Sequence, residues 1–303
     1  MIENSLVEAH GLQKQFGRLK AVDDVSFTVN RGDIYGFLGP NGSGKSTTIR
    51  MILGLIKPNG GEVKLFGQNM NRKNFRLLGK VGALIERPDF YNYLSAEKNL
   101  QLLARYSNLP KDDARIHEVL DMVGLRDRAT SKVRTFSQGM KQRLGIAQTL
   151  LHNPDLIILD EPLNGLDPQG IKDVRDLLFT LNQEMGKTLI ISSHILREME
   201  LVANRMVVIN RGKVLVEGEV KTLLKSSKVK IILMTDDAVK TIVLIKNAYP
   251  HLNPEQNKLK EIIFETAFED VPKINQMLVE SGVSVYQLNA LNSLEDYFLT
   301  ITA

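Results

Sequence analysis

Cysteine is absent from all 303 residues, which excludes disulfides, thiolate metal sites and cysteine catalysis, and is compatible with a reducing compartment. Long hydrophobic runs are absent too. The longest purely aliphatic stretches, such as 156–159 and 242–245, fall far below the ~20 residues that span a bilayer. A path through a membrane would therefore have to come from another polypeptide. The opening MIENSLVEAHGL carries Glu3 and lacks a positively charged start followed by an apolar stretch, so it does not read as a secretory signal. No basic block and no basic–aromatic interleaving occurs, which makes the net charge of +4 a weak nucleic-acid footprint. There is no long internal repeat or low-complexity tract.

What is present is the composition of a globular chain that buries a core, 43% hydrophobic and 24% charged. The length exceeds one average domain and predicts a large α/β domain with a smaller attachment. Short apolar runs bounded by Gly, Asn or Pro read as strands at 25–29, 34–38 and 63–66. From 88 to 151 the pattern turns helical, with helices expected over 98–106 and 114–123. In the last helix of this block Met140, Leu144, Ala147 and Leu151 form one apolar face. Strand-like runs return at 156–159, 188–191, 206–209 and 213–216, with a helix expected over 171–185. Residues 1–224 thus read as an α/β domain interrupted by a helical insertion at about 88–151. Residues 225–303 hold eight lysines, no arginine and ten acids. They read as an α+β domain: strand 229–234, helix 236–248, a short strand around 251–253, strand 259–265, helix 271–281 and strand 283–288. That order is a ferredoxin-like βαββαβ layout.

The segment 34–38 runs directly into GPNGSGKST, and a helix is expected over 47–55. Gly39, Pro40, Asn41, Gly42, Ser43, Gly44, Lys45 and Ser46 satisfy the spacing of a phosphate loop. Its glycines let backbone N–H groups turn inward around phosphate oxygens, and the following helix aims its positive end at the anion. Lys45 then reaches the β- and γ-phosphates and the Ser46 hydroxyl serves Mg²⁺. The alternative, a glycine-rich turn with a chance lysine, is disfavoured by the strand before and the helix after. Asp160 and Glu161 close a buried apolar strand. Paired with a phosphate loop they supply a carboxylate for the metal and a base that polarises the attacking water. Ser137, in the run FSQGM, sits where a helix N-cap belongs; taken alone it is a capped helix and nothing more.

Together these elements resemble the nucleotide-binding subunit of ABC transporters over residues 5–220. GPNGSGKST, including Thr47, is similar to that family's Walker A, and LIILDEP to its Walker B with the catalytic glutamate. FSQGMKQRLGIAQTLL is similar to the signature helix, Asn164-Gly165-Leu166-Asp167 to the D-loop, and Ser192-Ser193-His194 to the switch histidine. Phe16 matches the aromatic residue that stacks on adenine. The resemblance implies a P-loop core with an antiparallel β-subdomain, binding ATP and Mg²⁺ and hydrolysing ATP. Two copies would close head to tail, each nucleotide held by one Walker A and by Ser137 and Gly139 of the other chain. His194 would contact the γ-phosphate and Asp167 would communicate across the dimer. A separate integral membrane permease is implied as partner, placing the chain at the cytoplasmic face of the membrane, with no nucleic acid expected.

Two departures stand out. The signature is usually LSGGQ, whereas Phe136, Gln138 and Met140 stand here; Ser137 and Gly139 remain. The mobile loop before the insertion normally carries Gln, where this chain has Glu86, an added negative charge beside Glu161 and the metal. Glutamate at that position resembles the bacitracin-export and lantibiotic-immunity branch, as does the ending 293–299, SLEDYFL. A non-transport ABC ATPase acting on ribosomes or DNA is the alternative, but such proteins carry tandem ATPase domains or a long coiled-coil insertion. The last 75 or so residues serve either as a dimer-stabilising appendage or as a sensor, the appendage being favoured.

Overall fold

A computed structural model describes residues 5–226, 228–257 and 261–291. The chain divides into two units, residues 1–217 and 218–303, where the sequence reading sets its boundary after 224. In the first unit β1 (Ser5–Phe16) and β2 (Leu19–Asn30) form an antiparallel pair, followed by β3 (Ile34–Leu38), α1 (Lys45–Ile52), β4 (Gly60–Leu65) and β5 (Gln68–Asn69). After a 3₁₀ segment come β6 (Val81–Leu84), α2 (Ala96–Tyr106), α3 (Asp113–Met122) and α4 (Gln138–Leu150). Then follow β7 (Leu156–Asp160), α5 (Pro168–Phe179), β8 (Thr188–Ser193), α6 (Leu196–Val202), β9 (Arg205–Asn210) and β10 (Lys213–Glu219).

Two sheets result, one ordered β2-β1-β4-β5 and antiparallel, the other ordered β10-β9-β3-β8-β7-β6. In the second sheet β9, β3, β8, β7 and β6 pair in parallel. Parallel strands covered on both faces read as continuous apolar runs rather than alternating ones. Every residue of β3, β7 and β8 is buried. Leu156, Ile157, Ile158 and Leu159 are wholly inaccessible, each contributing up to about 1.5–3 kcal/mol by burial. The phosphate-loop strand β3 and the acid-bearing strand β7 both neighbour β8, so the ends of three adjacent strands carry the candidate chemistry.

The block expected to be helical holds α2, α3 and α4. Ser95 and Asp112 cap the first two by accepting from the N–H groups of Lys98 and Arg115. On α4, Leu144 and Ala147 are fully buried and Leu151 nearly so, with Met140 half-buried at its start. The helix expected over 171–185 begins three residues earlier, because Asp167 caps it and Pro168 fills its first turn. It then widens into a π turn over Thr180–Glu184. Three strands outside the sequence reading, β1, β5 and β6, complete the sheets.

The second unit contains α7 (Val220–Ser226), β11 (Lys228–Thr235), α8 (Ala238–Ala248), β12 (Glu255–Gln256), β13 (Ile262–Ala267), α9 (Val271–Glu280) and β14 (Val285–Leu291). The sheet order is β12-β13-β11-β14 with every neighbour antiparallel, a ferredoxin-like layout. Its core joins Val229, Ile231 and Leu233 to Ile262, Phe264, Ile245 and Leu278. The short strand lies at 255–256 rather than 251–253. Leu252 N–H closes a turn onto the Tyr249 carbonyl, and pairing begins only after Pro254, which has no N–H to give. The ending 293–299 lies outside the described residues. Among the described residues no helix is long and apolar enough to cross a membrane.

Candidate nucleotide site

The loop between β3 and α1 is fixed by close approaches that only glycine permits. A Cβ on Gly39 would lie 2.1 Å from the Ile209 carbonyl oxygen, and one on Gly44 2.5 Å from that of Ala21. Both residues also have positive φ, 152° and 110°. Lys45 opens α1 and is 95% buried, its Nζ donating to the carbonyls of Gly39 at 2.8 Å and Pro40 at 3.2 Å. The Ser43 hydroxyl is buried within this loop without a hydrogen-bond partner among the described residues. A cleft of about 500 Å³ is lined by Asn41, Gly42, Ser43, Gly44, Lys45, Ser46 and Thr47, by Glu161, and by Phe16 at its mouth. Phe16 is half-exposed, and Lys14 Nζ lies 5.2 Å from its ring centroid.

At the ends of β7 and β8 the acids meet the loop. Glu161 Oε1 lies 3.3 Å from Lys45 Nζ, and its Oε2 lies 2.8 Å from His194 Nδ1. A carboxylate only accepts, so Nδ1 carries the hydrogen of that bond. Glu161 holds a positive φ of 51°, and its N–H donates to the Ser192 hydroxyl at 2.9 Å. That hydroxyl in turn donates to Asp160 Oδ1, so one serine pins the backbone of the base and the carboxylate before it. Asp160 is buried. The structure thus brings Lys45, Asp160, Glu161 and His194 into one hydrogen-bonded cluster at the phosphate loop.

Other predicted residues gather elsewhere. Ser137 caps α4, accepting from Met140 N–H at 3.2 Å, and is exposed. Gly139 packs on Gly170, a Cβ there lying 3.6 Å from the Gly170 Cα, and Asp167 accepts from Gly170 N–H at 3.0 Å. No side-chain hydrogen bond or ion pair among the described residues joins Ser137, Gly139 or Asp167 to the phosphate loop. Glu86 stands apart from both groups. It is exposed, has φ of 70°, and pairs with Arg50 of α1. The sequence reading did not include Leu19, Lys20, Ala21 and Arg211, which also line the cleft, nor Ser192 as a positioning group.

The ABC transporter family model matches residues 22–164. The bacitracin transport ATP-binding protein BcrA of Bacillus licheniformis is 41% identical over 299 residues, covering 98% of this chain and 97% of that protein. This chain belongs to the ABC transporter ATP-binding family. The lantibiotic transport ATP-binding protein SrtF of Streptococcus pyogenes is 38% identical over 71% of this chain and 91% of its own length. A solved dimeric ATP-binding cassette in a post-hydrolysis state, bound to ADP and phosphate, is 27% identical with a TM-score of 0.62. It matches 71% of this chain and 98% of its own. The expected family and its likeness to the bacitracin and lantibiotic branch are therefore borne out.

As an ABC ATPase the chain binds ATP with Mg²⁺ and hydrolyses it to ADP and phosphate. The residues present fit that ion. Ser46 and Asp160 offer hard oxygen donors at the loop, which Mg²⁺ prefers. Among the described residues no group of three or more His, Asp or Glu side chains is placed to hold a metal ion by itself. That suits an ion held by one or two protein oxygens together with substrate phosphates.

Proposed function

We propose that two copies of this chain close head to tail over two ATP molecules and so drive removal of a peptide antibiotic through a separate membrane permease. The observation that carries the dimer is the division of the site. The loop cluster gathers Lys45, Glu161 and His194, while Ser137 stands exposed at a helix start with no hydrogen bond to that cluster among the described residues. A triphosphate seated on one chain would then meet Ser137 and Gly139 of its twin, where helix N-terminal N–H groups favour anions.

In this reading the glycine loop and Lys45 hold the β- and γ-phosphates, Thr47 supports the phosphates from the first turn of α1, and Phe16 stacks on adenine. Ser46 and Asp160 would hold Mg²⁺, which would screen the phosphate charge. Glu161 takes the proton of the attacking water, and His194, already 2.8 Å from that carboxylate, orients it and contacts the γ-phosphate. Asp167, at the cap of α5, relays closure between the chains. Glu86 would leave Arg50 and turn toward the metal as the loop moves.

The cargo reading rests on the names of BcrA and SrtF and on Glu86. The permease contact falls on unit 1, where a groove of about 510 Å³ runs between β6, α2 and α4. It is lined by Leu53, Leu55, Leu78, Ile85, Leu103 and Tyr106, with Leu55 and Tyr106 more than 60% exposed. Such an apolar channel accepts a short amphipathic helix, and it would hold the chain at the cytoplasmic face of the membrane. Glu161→Gln tests the mechanism. Its amide keeps an acceptor for Lys45, so folding and ATP binding should survive while turnover falls at least about a hundredfold. The variant should accumulate as an ATP-bound dimer in light scattering. Hydrolysis at the parent rate would remove Glu161 as the base.

A further inference from the structure

The hairpin joining β9 to β10 turns at Arg211–Gly212, and both residues have positive φ, 49° and 78°. Two successive left-handed residues make a mirror-image turn that matches hairpin twist and favours Asn-Gly. An arginine in the first of these positions costs roughly 1–2 kcal/mol, so its presence asks for a compensating role. The turn is fastened to the phosphate loop. Gly212 N–H donates to the Ser43 carbonyl at 2.9 Å, and the Gly212 carbonyl accepts from Asp23 N–H at 2.8 Å.

Arg211 lines the same cleft as the loop and Phe16. The other cations of that cleft already face carboxylates. Lys45 Nζ lies 3.3 Å from Glu161, and Lys20 Nζ lies 3.6 Å from Asp23. Arg211 is exposed and has no hydrogen bond or ion pair among the described residues. ATP brings up to four negative charges into this space, and a guanidinium offers a planar fork matched to phosphate oxygens. The base-stacking end of the cleft has a cation of its own in Lys14 over Phe16, whereas the Arg211 turn is tied to Ser43 of the phosphate loop.

We infer that Arg211 is a second phosphate-binding cation of this site, donating to the polyphosphate of bound ATP; this rests on ATP being the substrate. The test is competition of a fluorescent ATP analogue by ADP and by adenosine, on the full chain. The variants are Arg211→Met, Arg211→Lys and the control Arg31→Met, which removes an equal charge outside the cleft. Arg211→Met should weaken ADP about tenfold, worth about 1.4 kcal/mol, and leave adenosine unmoved. Arg211→Lys should recover most of that loss, Arg31→Met should show none, and KM for ATP should rise far more than kcat falls. Arg211→Gln replaces the Met variant should that one unfold. Equal ADP affinity in parent and Arg211→Met, or an equal loss for adenosine, overturns the inference. A parent chain that fails to bind ATP would instead defeat the assignment of the substrate itself.

Discussion

Ser137 performs a structural duty that is visible, and the proposed dimer gives it a second one at the partner's nucleotide; two substitutions separate them. Ser137→Ala removes the acceptor for Met140 N–H, a cap worth about 1 kcal/mol. For a unit of this size that lowers Tm by about 2–4 °C. Ser137→Asp restores the cap, since aspartate is among the best N-cap residues and its charge suits the helix start. In the proposed dimer it would also place a carboxylate against the partner's terminal phosphate. At roughly 5 Å and an effective dielectric near 20 the repulsion is about 3 kcal/mol, or about a hundredfold, at each of the two sites of the closed dimer. The Asp variant should therefore melt like the parent yet fail to dimerise with ATP in a Glu161→Gln background, read by light scattering. The Ala variant should melt earlier and dimerise better than Asp. An Asp variant that pairs on ATP as readily as the parent refutes the placement of Ser137 at the nucleotide.

Glu86→Gln removes the ion pair to Arg50 on an exposed loop, so ATP affinity should stay close to the parent while antibiotic protection by the complete transporter changes; identical protection would remove any special role for Glu86. Gly82→Ala would push a Cβ to 2.5 Å from the Thr149 carbonyl, where α4 meets β6, and should destabilise by about 1–3 kcal/mol in urea titration. An unchanged midpoint would contradict that contact. Burial pushes the His152 imidazole below its ordinary pKa, against the opposing hydrogen bond to the Val81 carbonyl. The unfolded chain binds the proton more readily, so this part of the stability is complete above about pH 6.5 and is lost as pH falls through the lower folded value. His152→Gln should flatten that slope in pH-dependent melts; an unchanged slope would argue against the shift.

The sequence is most legible where one local rule suffices. The buried strands β3, β7 and β8 are continuous apolar runs, and the phosphate loop follows β3 with fixed spacing. Legibility fails where tertiary contacts override the local pattern. β1 escapes a reading by alternation because its register shifts around Gly11, whose φ of 57° inserts a bulge. β6 is four residues with a glycine inside, and that glycine is there to admit the carbonyl of Thr149. In the site, Lys45, Asp160, Glu161 and His194 were readable because their types and order carry the chemistry. Arg211 was not, since NRGK reads only as a hairpin turn and its place at the cleft comes from a bond between Gly212 and Ser43. Ser192 is hidden in the same way: its hydroxyl matters only because β8 lies beside β7.

The exposed cap of α4, held apart from the loop that carries Lys45, has a quantitative corollary. Under the proposed pairing a solitary molecule would idle whatever its supply of fuel, and at low dose the rate would climb with the square of the amount present rather than in proportion to it. Tethering two copies to one permease would replace that dilute encounter with a fixed local abundance, so the cell would burn nucleotide only where a gate stands ready to use it.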